Sequence, residues 1–123
     1  MKILFLRVGI DRGCGGTLSP RFDDGTFEYV PIPEYSELSE GRGVKYSELP
    51  AKYGSTLDKY SGSNGFTHND PEFETFTYGE PSPPKRNQLL RLTTDDLLVF
   101  YSGFKGPSTT VGTCYVIGYL SVR

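Results

Sequence analysis

The chain has 123 residues and a formal net charge of −2, with 36% hydrophobic and 14% aromatic residues. A length of this order supports one core and not two, so a single domain over residues 1–123 is expected. The near-neutral balance excludes a protein that grips nucleic acid mainly by counterion release, the 15 Gly and 9 Pro argue against long helices, and two cysteines cannot by themselves build a structural zinc site.

Nine Tyr and eight Phe with no Trp mean a core of large rings, in which buried Tyr hydroxyls need partners. The run Ile3 to Val8 is apolar, rich in strand formers and bounded by Gly9, which reads as a strand buried on both faces and therefore central. It is too short for a signal peptide or a membrane span. The tract from Gly9 to Gly25 then turns repeatedly. Asp24-Gly25 is a hairpin signal between Arg21-Phe22 and a strand from Thr26 to Ile32, in which Pro31 and Pro33 place the strand at an edge.

From Glu34 to Asn69 the pattern is weak. Ser36 to Glu40 and Ser47 to Tyr53 each read as a helical turn or two, and Ser61 to Gly65 as a loop. The run from Gly79 to Pro84 is expected to be extended, and Asn87 to Leu92 to make one helical turn before a turn at Thr93 to Asp96. Leu97 to Tyr101 is an apolar strand, Gly103 to Gly112 a loop, and Thr113 to Val122 a strand that pairs antiparallel with it. Gly118 marks a bulge or a close approach of backbone.

The charges are uneven. Lys2, Arg7, Arg12 and Arg21 face Asp11 alone in the first 21 residues, whereas residues 22–48 hold seven acids against Arg42 and Lys45. Gly13, Gly15 and Gly16 beside Arg12 and Arg21 suit an anion or a base edge, because backbone N–H groups freed from Cβ can converge. Their spacing fits neither the mononucleotide nor the dinucleotide glycine motif. Cys14 and His68 offer a Cys–His pair if the fold brings them together. Cys14 and Cys114 are expected to be free thiols, and the missing leader points to the cytoplasm. His68, Asp70 and Glu72 form a mixed nitrogen and oxygen cluster, but Asp70-Pro71 reads as the start of a turn, so no metal and no cofactor are expected. Asp95 and Asp96 read as turn acids that accept backbone N–H bonds. Tyr101, at the end of an aromatic strand with Gly103 nearby, can stack a planar ring.

Residues 7–34 resemble the start of the third type of nucleotide modification associated domain. That family opens with a strand, a Gly-hydrophobic-Asp step, paired glycines, Ser-Pro, Asp-Gly and Pro-Ile-Pro. These stand here as Gly9-Ile10-Asp11, Gly15-Gly16, Ser19-Pro20, Asp24-Gly25 and Pro31-Ile32-Pro33. His68, Asp70 and Pro71 resemble its later His-x-Asp-Pro step. The segment Thr93 to Phe104 resembles its Gly-Asp-Leu-hydrophobic-Phe strand, with Asp95 where glycine is usual. Longer members continue past the point where this chain stops, which leaves a missing C-terminal part open. A looser resemblance, over about a third of the residues, is to the PUA-like group with its EVE and ASCH relatives, small β-barrels that bind RNA or hold an extruded base.

The first resemblance implies work on modified nucleobases in phages and bacteria. The expected fold is α+β, with a strongly curved, mostly antiparallel sheet, as in a PUA-like partly closed barrel, and few short helices. The expected function is binding of a nucleotide or of nucleic acid with a modified base, in a modification or phage-defence setting. Asp11 would fix the polar edge, His68 and Asp70 would arrive from the middle segment, Arg12, Gly15, Gly16 and Ser19 would contact the ligand, and Tyr101 would stack on it. The alternatives are an enzyme using Asp11, His68 and Asp70 as acid–base groups, and a protein-interaction module docking through the acidic segment from Asp23 to Glu48. No membrane partner is expected.

Overall fold

A computed structural model describes residues 1–34, 43–61, 65–68, 70–108 and 111–123. The turns expected over Ser36 to Glu40 and within Ser61 to Gly65 lie wholly or largely outside the described residues. In chain order the elements are β1 (Ile3–Arg7), β2 (Ser19–Pro20), β3 (Ile32–Pro33), β4 (Val44–Lys45), a 3₁₀ turn (Tyr46–Glu48), α1 (Asp58–Ser61), β5 (Phe66–His68), α2 (Pro83–Leu89), β6 (Leu97–Lys105) and β7 (Gly112–Ser121). The fold is α+β, dominated by strands, with two short α-helices among the described residues.

β6 is the axis of a four-stranded sheet. β7 pairs antiparallel along one edge, from Leu97↔Ser121 to Lys105↔Gly112. The other edge is shared: β1 runs parallel to the first half of β6 and β2 parallel to its end, Ser19 opposite Phe104. The chain leaves that edge where Val8 N–H bonds Tyr101 O (2.9 Å) and rejoins it before Arg21 N–H bonds Lys105 O (2.8 Å). The glycine tract is therefore an excursion between two strands that follow one line. A second, antiparallel sheet has the order β3-β5-β4. Among the described residues both sheets are open, and no barrel closes.

Alternation along β6 sorts its faces. Leu98, Phe100, Ser102 and Phe104 are buried on one face, where Leu6, Val8 and Leu120 join them and Tyr29, Tyr78, Leu89 and Leu92 cover the cluster. Full burial of one such side chain is worth about 1.5–3 kcal/mol. A second cluster, Ile10, Val30, Tyr46 and Leu57, lies beneath the small sheet. The Tyr46 hydroxyl meets its need by donating to Pro31 O at 2.6 Å.

Several expectations change. β1 is an edge strand paired only to β6, with Ile3 and Phe5 exposed; its apolar run reflects an uncovered face rather than double burial. Thr26 to Ile32 forms no continuous strand, only an Arg21↔Phe27 bridge closing the Asp24-Gly25 turn. Of the turn expected over Ser47 to Tyr53, only Ser47 and Glu48 are helical, within the 3₁₀ turn Tyr46–Glu48. Pro83 and Pro84 begin α2 instead of an extended run, because the first helical positions need no N–H donors and Pro presets φ. β6 continues through Gly103 to Lys105, since pairing on both edges carries it past the glycine. The bulge is present, with Phe100 opposite Gly118 and Tyr101 opposite Val116, and the Phe73 ring packs where a Gly118 side chain would stand.

In the turn before β6, Asp96 behaves as read, while Asp95 takes the left-handed turn position at φ 71°. Asp96 is buried and accepts Lys2 N–H (2.6 Å) and Thr93 N–H (2.8 Å), tying the entries to β1 and β6 together. These bonds, Thr93 first, hold its pKa below the usual carboxylate value. A lowered folded-state pKa contributes stability that is present above the unfolded pKa and lost as pH falls through the folded one. Asp96→Asn should therefore lower stability at neutral pH and flatten the acid limb of a chemical-denaturation series. An unchanged acid limb would refute the assignment.

Candidate functional site

A cleft of about 430 Å³ opens where β1 ends, between the two sheets. β1 and its exit supply Arg7, Val8, Gly9, Asp11 and Cys14; β3 and its exit supply Ile32, Pro33 and Glu34; β5 and its exit supply His68 and Asp70; Tyr78, Glu80, Pro81 and Lys85 close the far wall. Its volume lies within the ~300–1,000 Å³ usual for small-ligand clefts.

His68 is held between two carboxylates. Nδ1 lies 3.0 Å from Glu34 Oε2 and Nε2 lies 3.2 Å from Asp70 Oδ2. A doubly protonated ring can donate to both; a neutral ring donates to one and presents a lone pair to the other. Burial pushes the Asp70 carboxyl up, against the opposing pull of His68 and of a Gly79 N–H bond.

Tyr29 fixes this arrangement from below. Its hydroxyl donates to Asp70 O at 2.6 Å and accepts a backbone bond from Gly9, so one phenol ties the end of β1 to the segment after β5. Burial drives its pKa far upward, with the Asp70 charge adding to that, and it stays a donor. Tyr78 is likewise pushed upward by burial and then by Glu80, which its hydroxyl meets at 3.2 Å. Burial alone would raise Glu80, but the bond from Ser82 N–H (3.0 Å) and the Lys85 charge (3.5 Å) bring it below the usual value.

Asp11 bends its own loop. One oxygen accepts Cys14 N–H at 2.7 Å and the other lies 3.6 Å from Arg7 Nε. Burial, and then the Asp11 charge, raise the Cys14 pKa, so this thiol is held protonated. Cys14 and His68 line the same cleft, but both imidazole nitrogens face carboxylates, and the geometry of a nucleophilic Cys–His pair is not formed. Both cysteines are free. Among the described residues no group of three or more His, Cys, Asp and Glu is placed to hold a metal ion.

Asp11, His68 and Asp70 therefore stand around one cavity. The expected ligand contacts do not all join them. Tyr101 sits on the opposite face of β6, paired with Arg7 and Val116, and Tyr78 is the cleft's ring instead. Ser19 is fully buried, and its Oγ accepts Val30 N–H at 3.2 Å. Gly15 (φ +93°) leaves room for Ile10 and Pro33 rather than for a ligand; a Cβ there would collide with the Ile10 side chain. Gly16 faces open space. Arg12 lines an adjoining cleft with Arg7, Leu18, Gly103 and Cys114. Glu34, Tyr78 and Glu80 were not legible as site residues, since only contacts distant in sequence bring them in.

No helix among the described residues is long and apolar enough to cross a membrane. No curated protein and no solved structure matches the chain. Residues 2–123 match the family described as nucleotide modification associated domain 3. The match spans the opening Gly-Ile-Asp step, the His-x-Asp-Pro step and the late strand that flanks them, and the chain belongs to that family.

Proposed function

We propose that the cleft binds a nucleobase, free or within a nucleotide, in a nucleic-acid modification or phage-defence setting, and that it favours bases presenting amino donors. One observation carries the reading: Asp11, Glu34, Asp70 and Glu80 surround a single imidazole and a tyrosine wall in a cleft otherwise walled by Val8, Ile32, Pro33 and Pro81. Carboxylates accept from exocyclic amines, as with the N4 group of cytosine. Arg7 and Lys85 stand at the same cleft and suit a sugar-phosphate. Polar groups buried by a ligand must be matched, and a base lacking those donors leaves the lone pairs that these carboxylates do not use on protein partners without a match.

Calorimetric titration with cytidine, adenosine and guanosine against thymidine tests this. The amino-bearing nucleosides should bind at least about tenfold tighter, a difference of roughly 1.4 kcal/mol. Asp11→Asn and His68→Ala should each remove most of that preference. Equal affinity for thymidine would refute the reading.

A second reading, an enzyme of base modification, draws support from the 3.2 Å contact between His68 Nε2 and Asp70 Oδ2, which sets an imidazole against a carboxyl that burial pushes up, the two group types that most often move protons. Asp70→Asn separates the two. A binder loses affinity with Asp70, whereas an enzyme keeps ligand and loses turnover.

A further inference from the structure

The strands that border the two sheets are not equally protected. A bordering strand offers a row of unpaired N–H and C=O groups, and folded proteins blunt such rows by brevity, charge or proline. β2, β3 and β4 are two residues each and carry Pro20, Pro33 and Lys45. β1 has five residues, follows Lys2 and ends on Arg7. β7 has none of these devices: its ten residues, Gly112–Ser121, include no charge and no proline, and among the described residues it pairs with β6 alone. Thr113, Cys114, Tyr115 and Val116 are all exposed.

The bonds along β6 show which backbone groups of β7 are left over. Tyr101 O accepts from Val8 N–H and Lys105 O from Arg21 N–H, so both residues turn their backbone toward β1 and β2. By alternation Ser102 and Phe104 turn theirs toward β7, where Tyr115 and Thr113 stand opposite. Gly112, Cys114 and Val116 then face outward. The bulge sets in at Ile117, which has no partner in the register, and bends the rest of the strand. The regular open row is therefore Gly112 to Val116.

We propose that this row pairs with the same row of a second copy, antiparallel about a two-fold axis at Cys114, so that two four-stranded sheets become one. Antiparallel pairing about such an axis is self-complementary. Here every outward residue finds a place: Cys114 meets its counterpart, and Gly112 meets Val116 in both directions, for about six backbone hydrogen bonds. Tyr115 falls opposite Thr113, a ring against a β-branched residue, which is a favourable cross-strand pair. Like charges set opposite one another would oppose self-pairing, and an uncharged row has none. The cations of the cleft that adjoins Cys114 are engaged within their own copy, Arg7 by Asp11 at 3.6 Å and Arg12 likewise partnered. A five-residue row buries less than the ~1,200 Å² at which standard interfaces begin, so the dimer belongs with weak, reversible contacts. This inference does not depend on the ligand of the cleft.

Sedimentation of the intact chain between about 1 µM and 1 mM, the span of weak affinities, is the test. A monomer–dimer equilibrium without larger species is expected, since a two-fold contact closes on itself. Val116→Lys should raise the dissociation constant at least about tenfold, because the edge then carries a charge that pairing must desolvate. Val116→Pro should do the same while preserving the Tm within a few degrees, since it removes an N–H that β6 does not use. With the two Cys114 Cα atoms about 5.5 Å apart, a short bis-maleimide should couple two copies. Cys114→Ser should lose that coupling and keep the equilibrium. Leu90→Lys, at an exposed apolar position on the end of α2, should change nothing. A chain that stays monomeric at 1 mM overturns the proposal, as it would if the edge served another protein's strand. So does a dimer that survives both Val116 substitutions, one that Leu90→Lys dissolves equally, or one in which Cys114 does not couple.

Discussion

Gly9→Ala is expected to lower stability by about 2–5 kcal/mol, on the order of 10 °C in Tm, one of the two largest single-residue effects foreseen here. Gly9 holds φ +81° as the chain turns off β1, a region costing a Cβ-bearing residue roughly 1–2 kcal/mol. A Cβ would also stand 2.5 Å from Ser102 Oγ and 3.0 Å from the Tyr29 ring. Overpacking of that kind typically adds about 1–3 kcal/mol. The two parts separate experimentally. Ser102 Oγ is the one buried side-chain polar atom without a partner among the described residues, so Ser102→Ala should be neutral or mildly stabilising. The double variant should regain part of the Gly9→Ala loss, and the remainder measures backbone strain. Additive effects of the two substitutions would show that Ser102 is not what Gly9 makes room for. Because Gly9 N–H bonds the same Tyr29 hydroxyl that holds Asp70, cleft binding should suffer with stability.

Tyr46→Ala should cost about 3–5 kcal/mol, as for other large aromatic truncations in a core. Tyr46 is fully buried among Ile10, Val30 and Leu57, directly after β4. β4 borders β5 through Val44↔Thr67, and β5 ends at His68. The cavity should therefore loosen the small sheet before the large one. Hydrogen exchange should speed up first at Thr67 and His68, and the nucleobase affinity of the cleft should fall in parallel. Tyr46→Phe keeps the ring but leaves Pro31 O without this donor, a loss of about 1–3 kcal/mol. Faster exchange in β6 and β7 with β5 unchanged would mean that Tyr46 supports the wrong sheet for this account.

How far the site was legible follows from where its information lies. Asp11 stands two residues after the strand-ending Gly9, and His68-x-Asp70-Pro71 is a local motif, so each could be named from the chain and from its resemblance to the family. Tyr101 was named for good local reasons, a ring at the end of an apolar strand with a glycine nearby. What alternation does not tell is which face lines a cleft. β1 shows the same limit: its unbroken apolar run suggests double burial, yet one of its faces is open. Pro83-Pro84 marked a helix start that resembled an extended stretch, because neither setting needs the N–H that proline lacks.

Local chemistry marked the turns at Asp24-Gly25 and at Asp96 and the existence, though not the full length, of β6 and of β7 with its bulge, and the order of such short motifs along the chain pointed to the α+β class and the family. Those depend on residues within a few positions of one another, or on a hairpin joined by a short loop. Tertiary structure decided that β1 and β2 share one edge of β6, that Glu34 and Asp70 bracket His68 from opposite sides, and that the aromatic strand turns its outer rings away from the cleft. Each of these sets a pairing or a facing between segments far apart in the chain, and the free energy of such contacts depends on which surface is buried against which, a quantity that no short stretch of sequence contains.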